Sequence, residues 1–80
     1  MGAEVREKED YMEVLHLKEE YIKLGQALKA ANMVDSGADA KHVVQEGLVR
    51  VNGEVDTRRG KKLVAGDMVE YNGKTVKIEA

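Results

Sequence analysis

The chain has 80 residues, which suffices for one small domain with a single hydrophobic core and leaves no room for a second. It contains no cysteine, so disulfides, thiolate zinc sites and cysteine nucleophiles are excluded. The net charge is −2 and no apolar run reaches the roughly 20 residues of a membrane span, so we expect no membrane contact and a cytoplasmic location.

The charges are distributed unevenly along the chain. Residues 1–20 carry seven acidic and three basic side chains, a net charge of −4, whereas residues 21–80 carry eight acidic and ten basic ones, a net charge of +2. Phe and Trp are absent and there are only three Tyr, so the chain offers few rings on which single-stranded bases could stack. Any binding of nucleic acid should therefore depend mainly on phosphate contacts and shape.

The N-terminal segment changes character near residue 11. Met1–Asp10 is highly charged with little to bury, and we expect it to be disordered. Tyr11–Leu17 suits an edge strand, whereas a continuous helix over Glu4–Glu20 is the alternative, because Glu, Lys, Leu and Met favour helices. We favour the strand and assign residues 11–80 to a single domain.

A first short helix is predicted by apolar residues at helical spacing. Leu24, Ala27, Leu28 and Ala31 follow the i, i+3, i+4, i+7 pattern of an amphipathic helix, which should end near Asn32. Polar side chains lie off this stripe and should face outward: Lys23, Gln26 and Lys29.

A second short helix begins at Ser36, whose hydroxyl can cap a free backbone N–H. Asp39 stands three residues on, as in a capping box, and Gly47 supplies the left-handed residue that ends the helix. Lys41 and Gln45, four residues apart, share an outward face. The predicted buried stripe is Ala40, Val43 and Val44.

After Gly47 the spacing of apolar residues changes to the strand period. Asn52-Gly53 and Asn72-Gly73 each lie between short runs of β-favouring residues. Asn-Gly pairs in this setting are strong hairpin signals, because both turn positions need a positive φ. With a further turn at Ala65–Asp67, the sequence predicts a small antiparallel sheet of hairpins that carries a basic loop, Thr57–Lys62, in its middle.

The sequence offers no catalytic constellation. The two histidines, His16 and His42, have no carboxylate at a metal-ligand spacing. Ser36 is accounted for as a helix cap, and the glycines are spread over turns rather than gathered in a phosphate-binding loop. We therefore predict a protein without enzymatic activity, metal or cofactor.

The basic loop contains four cations in five consecutive residues. Arg58 and Arg59 precede Gly60, and Lys61 and Lys62 follow it. One interpretation is a solubilising loop. We favour a phosphate-binding patch, in which the glycine lets a nucleic-acid backbone approach closely. Further cations would extend this patch if the helices and the hairpin are neighbours: Lys23, Lys29, Lys41 and Arg50.

Several short patterns between Tyr21 and Asn72 occur together in one known family. They are Leu24 with Leu28, Ser36 with Ala40-Lys41, the segment Glu46-Gly47-x-Val49-x-Val51-Asn52-Gly53, and Gly66-Asp67-x-Val69. This stretch, about two-thirds of the chain, resembles the S4 domain, the RNA-binding domain first seen in the fourth small-subunit ribosomal protein. The basic loop and the small size resemble its stand-alone bacterial branch, the YbcJ/YaaA type.

The resemblance implies an α+β fold, the α-L RNA-binding motif, in which two short packed helices precede a small antiparallel sheet of hairpins. It implies a monomer that binds structured RNA (rRNA or tRNA) without catalysis, with ribosomal particles as partners in ribosome assembly or translation. The RNA would lie between the helical pair and the hairpin. The implied RNA contacts are Lys23, Gln26, Lys29, Lys41, Gln45, Arg50, Asn52, Arg58, Arg59, Lys61 and Lys62.

One residue departs from the family pattern, because many members have Arg directly after the capping serine and this chain has Gly37. We expect the basic loop to compensate in part. Two other functions fit the sequence. The acidic N-terminus or an exposed sheet edge could bind a protein, or the chain could be an RNA-targeting subunit that recruits a separate enzyme.

Overall fold

Two short helices pack on one face of a five-stranded sheet in the computed structural model, which describes residues 12–80. The expectation that Met1–Asp10 is disordered lies outside the described residues. The elements are β1 (Met12–His16), β2 (Ile22–Lys23), α1 (Leu24–Ala30), α2 (Gly37–Gln45), β3 (Val49–Val51), β4 (Glu54–Val55), β5 (Lys62–Leu63), β6 (Met68–Tyr71) and β7 (Lys74–Glu79).

The sheet is mixed. Its strands follow the order β1-β7-β6-β3-β4, and the neighbouring pairs are antiparallel except for β1 and β7. These two strands run parallel, from Met12 opposite Thr75 to His16 opposite Glu79. A parallel pair needs a long crossover, which the helices and hairpins supply. The α+β class with helices followed by hairpins is confirmed, and the predicted antiparallel sheet gains one parallel edge strand.

Strand β1 confirms the strand interpretation for residues 12–16, and the helical alternative is wrong there. Leu15 and Leu17 are half-buried against the core, whereas Val14 and His16 are exposed. This period of two is the pattern of a strand with one covered face. The strand lies at the edge of the sheet, as expected.

Helix α1 confirms the predicted apolar stripe. Leu24, Ala27 and Leu28 are completely buried, and Ala31 is half-buried at the end of the helix. Asn32 follows with a φ of 58°, a left-handed conformation that does not continue a helix. The three polar side chains expected to face outward, at positions 23, 26 and 29, are exposed.

Helix α2 is capped at both ends by the residues that the sequence indicates. Ser36 Oγ accepts a hydrogen bond of 3.1 Å from the backbone N–H of Asp39. At the other end Gly47, with a φ of 77°, donates its N–H to Val44 O, and the next residue donates to Val43 O. These two bonds form a Schellman motif. The buried stripe is Ala40, Val43 and Val44, as predicted.

Both Asn-Gly turns have the predicted geometry. Asn52 and Gly53 have φ values of 54° and 87°, and Asn72 and Gly73 have values of 54° and 79°. Positive φ at both central positions defines the type I′ turn, whose twist matches that of the flanking strands. The two hairpins, β3–β4 and β6–β7, are therefore confirmed.

The core lies between the helices and one face of the sheet. In β3, Val49 and Val51 are buried, while Arg50 between them is exposed on the opposite face. Within residues 12–80, neither helix has the length and apolar content needed to cross a membrane. The core residues are Leu24, Ala27, Leu28, Ala40, Val43, Val44, Val49, Val51, Leu63, Val69, Val76 and Ile78.

Candidate nucleic-acid interface

A two-stranded ribbon carries the basic loop to the start of α1. Strands β2 and β5 pair antiparallel, with Ile22 opposite Leu63 and Lys23 opposite Lys62. Leu63 is completely buried and Ile22 is half-buried, so the apolar pair anchors the ribbon to the core. The chain that precedes β5, which is the basic loop, therefore returns to the N-terminus of α1.

The backbone of the basic loop caps α1 directly. The first N–H groups of a helix have no partner within the helix. Here the N–H of Leu24 donates to Lys61 O at 2.8 Å, and the N–H of Gly25 donates to Arg59 O at 3.0 Å. Gln26 Oε1 accepts a third bond, of 3.3 Å, from the N–H of Lys23. The basic loop is thus built into the fold.

Gly25 allows the side chain of Arg59 to lie across the first turn of α1. A Cβ at this buried glycine would stand 2.6 Å from Arg59 Cγ and 3.2 Å from Arg59 Cδ. Our sequence interpretation missed Gly25. A signal was present, because glycine inside a helix costs about 1 kcal/mol relative to alanine and so calls for a packing reason.

The basic loop, α1 and the start of α2 enclose a groove of about 330 Å³, which we call the basic groove. Lys23, Lys29 and Arg59 line it together with Gln26, and among the described residues that line it none is acidic. The structure thus brings four of the predicted RNA contacts to one place. The other lining residues are small: Gly25, Gly37, Ala40 and Gly60.

Lys41 and Gln45 continue from the basic groove along α2. Both side chains are exposed. Gly37, which lines the groove, precedes Lys41 by four residues, and Gln45 follows by another four, so the three positions share one helix face. A ligand that fills the basic groove and extends along α2 would meet Lys41 first and Gln45 next. Their role as RNA contacts stays a prediction.

Arg58 is engaged by a neighbouring carboxylate. Its Nε and a terminal guanidinium nitrogen donate to the two oxygens of Asp56 at 3.0 and 2.8 Å, and its backbone N–H donates to the same carboxylate at 2.9 Å. The side-chain hydrogen bond from Arg58 is the main cause that lowers the pKa of Asp56, and the same bond raises the pKa of Arg58. Asp56 therefore offsets the charge of Arg58 and fixes the start of the basic loop.

The two lysines of the basic loop lie in different surroundings. Lys62 places its Nζ 4.7 Å from the centroid of the Tyr21 ring, a cation–π contact. Lys61 is half-buried and lies with Arg58 and Asp56 in a separate depression. Both lysines flank the basic groove along the chain, and neither lines it.

Two predicted contacts lie away from the basic groove. Arg50 is opposite Glu70 on the sheet face that points away from the helices. Asn52 bridges two turns, because its Nδ2 donates to Asp67 Oδ1 at 3.1 Å and its Oδ1 accepts from the N–H of Met68 at 3.0 Å. The amide of Asn52 is therefore used within the fold, and the predicted site does not form one continuous patch.

The histidines have unremarkable surroundings. His42 is exposed on α2, and His16 Nδ1 lies 3.3 Å from the carbonyl oxygen of Ala80. Over residues 12–80, the structure contains no group of three or more His, Asp or Glu side chains arranged to hold a metal ion.

Several known proteins resemble this chain in sequence. A family model for the S4 domain matches residues 15–79, which extends the resemblance to the end of β1 and over all of β7. The chain is 52% identical over 54 residues to the "Probable ribosome maturation protein RlbA" of Bacillus subtilis, covering 68% of this chain and 76% of that protein. It is 40% identical over 63 residues to the "Putative RNA-binding protein YbcJ" of Escherichia coli, covering 79% and 90%.

The fold of this chain is also similar to that of a solved structure. The solution structure of YbcJ from Escherichia coli, described as revealing an α-L motif involved in RNA-binding, superposes with a TM-score of 0.64 at 37% identity. The match covers 88% of this chain and 87% of YbcJ. The predicted resemblance to the small stand-alone proteins is confirmed, and the chain belongs to the S4 domain family, a family of RNA-binding domains.

Proposed function

We propose that this protein binds structured RNA, either rRNA or tRNA, and that it does so without catalysis. The observation that carries the proposal is the capping of α1 by the carbonyls of Arg59 and Lys61. Because the backbone of the basic loop is fixed in this way, Arg59 is held beside Lys23 and Lys29 in the basic groove. Three cations that line one groove suit the phosphates of a nucleic-acid backbone.

The basic groove also has the shape that a phosphate backbone needs. Methyl groups added at Gly37 or Gly60 would meet no atom of the described residues within 4 Å, so the chain is open to close approach there. The net charge of the whole chain is −2, but a local field at a surface depends on the nearby charges. The groove is therefore attractive to anions although the protein as a whole is acidic.

We divide the predicted contacts into a centre and a periphery according to whether they line the basic groove. We place Lys23, Gln26, Lys29 and Arg59 at the centre of the interface. Lys41 and Gln45 extend it along α2, and the other cations of the basic loop flank it. Arg50 and Asn52 would meet RNA only if the RNA wrapped around the edge of the sheet, so we give them no part in the central contact.

Ribosomal RNA is our first choice of target. A relative that is 52% identical is named a probable ribosome maturation protein. Such a role would place the protein in the cytoplasm, as a monomer that joins ribosomal particles. tRNA is the second structured RNA that we would test.

Salt-dependent binding to a folded rRNA fragment and to tRNA tests the proposal. Each phosphate contact should contribute a slope of about −0.7 to −0.9 to the dependence of log K on log salt, so three to five contacts should give a steep decline. The double variant Lys23→Ala/Lys29→Ala should weaken binding by roughly tenfold per lost contact and reduce the salt slope by about two.

The matched control is Lys74→Ala/Lys77→Ala, which removes the same charge from β7, away from the basic groove. We expect it to change affinity by less than about threefold, through the overall field alone. Equal losses in the two double variants, or a flat salt dependence in the parent protein, would show that the basic groove does not hold RNA phosphates.

A further inference from the structure

A second and larger cleft adjoins the basic groove along α1. Its volume is about 520 Å³, and it lies between α1 and the segment that connects β1 to β2. This volume falls within the roughly 300–1,000 Å³ range of small-molecule pockets. Gln26 and Lys29 line both the cleft and the basic groove, so the two depressions are continuous along one side of α1.

The cleft is lined by apolar side chains, an aromatic ring and polar side chains, which besides Gln26 and Lys29 are His16, Lys18 and Glu19. Leu15, Leu17 and Ile22, all half-buried, supply apolar surface, and Tyr21 supplies the ring. The Lys62 ammonium lies over the Tyr21 ring, and Lys62 itself does not line the cleft. The ring therefore has surface left for a ligand to contact on the cleft side.

Hydrogen-bond donors stand where the cleft meets the basic groove. Gln26 uses its Oε1 to accept the bond from the N–H of Lys23, which leaves its side-chain NH₂ to donate. The Lys29 ammonium provides up to three further donors. A flat apolar group whose edge carries carbonyl or ring-nitrogen acceptors fits this arrangement, and nucleobases have this chemistry.

We propose that the cleft binds one unstacked nucleobase of the RNA whose backbone lies in the basic groove, with Tyr21 as the stacking surface and Gln26 and Lys29 as donors to the base edge. The inference rests on the proposed function and adds a substrate feature to it. The preferred RNA would have a bulged or looped-out nucleotide. Sequence-tolerant contacts to phosphates would then be combined with recognition of local shape.

Two RNA hairpins that differ in one nucleotide test the inference. The first carries a single bulged 2-aminopurine, and the second lacks the bulge. We expect the protein to bind the bulged hairpin about tenfold more tightly, as stacking of one base on an aromatic side chain permits. The fluorescence of the 2-aminopurine should change on binding, because its stacking environment changes.

Variants show whether the tighter binding of the bulged hairpin depends on the cleft. Ala30→Phe fills the cleft from an exposed position and should reduce the advantage of the bulged hairpin below about twofold, with binding of the other hairpin unchanged. Ala65→Phe, an exposed position outside both depressions, should keep the advantage. As a second pair, Tyr21→Leu should lose the advantage and Tyr21→Phe should keep it.

The outcomes separate the two proposals. If both hairpins bind equally and with the steep salt dependence expected of phosphate contacts, the nucleobase cleft is refuted while RNA binding in the basic groove stands. If the advantage survives in Ala30→Phe, the cleft is likewise not the site. If neither hairpin, nor any folded RNA, binds at low salt, the proposed function fails and the cleft proposal fails with it.

Discussion

Gly25 and Arg59 depend on each other at the start of α1. The absence of a side chain at Gly25 leaves the space that Arg59 Cγ and Cδ occupy, and Arg59 O accepts the N–H of the same glycine. Gly25 therefore holds the backbone of Arg59 by a hydrogen bond and leaves room for its side chain in the basic groove. Conformational freedom is not the reason for this glycine, because it lies within a helix.

Gly25→Ala tests this dependence. Alanine favours the helix by about 1 kcal/mol, and the side chain of Arg59 can move away because it is exposed, so stability should change little. Affinity for RNA should fall about three- to tenfold, since Arg59 leaves its position in the basic groove. Arg59→Ala is the control, because Gly25→Ala should cost no further affinity once the side chain that it displaces is absent. Equal affinities in Gly25→Ala and the parent protein would refute the role of Gly25.

Arg58 and Arg59 are neighbours with different tasks. Arg58 is held by both oxygens of Asp56, whereas Arg59 lies in a groove whose described lining residues include no acid. The sequence made the two arginines look equivalent, as members of one basic cluster. The difference arises because Asp56 stands two residues before Arg58 and reaches it locally, while Arg59 is directed toward α1.

The turn of the β3–β4 hairpin links two elements through a side chain. Asn52 and Asn72 have the same φ of 54° in equivalent Asn-Gly turns. Asn52 also bonds to Asp67 and to the N–H of Met68, and within residues 12–80 the structure shows no side-chain hydrogen bond of Asn72. Asp67 in turn accepts the N–H of Val64 at 2.9 Å. The first turn is therefore tied to the turn that precedes β6.

The two asparagines allow a matched comparison. Both Asn52→Ala and Asn72→Ala lose a residue that tolerates a left-handed conformation, but only Asn52→Ala breaks the two side-chain hydrogen bonds. We expect Asn52→Ala to lower the free energy of unfolding by about 1 kcal/mol more than Asn72→Ala, as measured by urea denaturation. Equal costs would mean that the bridge to Asp67 contributes nothing to stability.

Elements that depend on local signals were predictable from the sequence, and long-range contacts were not. The serine cap of α2, its Gly47 terminus and the Asn-Gly turns each involve residues within a few positions of one another. The parallel pairing of β1 with β7 and the capping of α1 by Lys61 O join residues far apart in the chain. Neither the spacing of apolar residues nor the position of a turn residue indicates which distant residues will come into contact. The basic groove, which depends on such contacts, could therefore be recognised only in the structure.

At the scale of the whole molecule, the local charge of the basic groove is opposite in sign to the net charge of the chain. In the described part of the chain, the cations of the basic groove lie together. Two cations outside the groove form ion pairs, Arg58 with Asp56 and Lys77 with Glu79. An acidic total can therefore coexist with a surface for a polyanion. If RNA binds in the basic groove as proposed, this arrangement should limit nonspecific attraction, because attraction is then strong only where the shape also fits.

We expect strand β1 to make residues 12–80 one cooperative unit, because it joins the beginning of the described chain to its end and covers the core with Leu15. Leu15→Ser should lower the free energy of unfolding by about 2 kcal/mol, whereas Val14→Ser, on the exposed face of the same strand, should cost about 0.5 kcal/mol. In Leu15→Ser, amide hydrogen exchange should accelerate roughly 30-fold. The factor should be similar in β1 and at Leu28 in α1. Acceleration confined to β1 would instead show a strand that detaches while the helices and the basic groove stay folded.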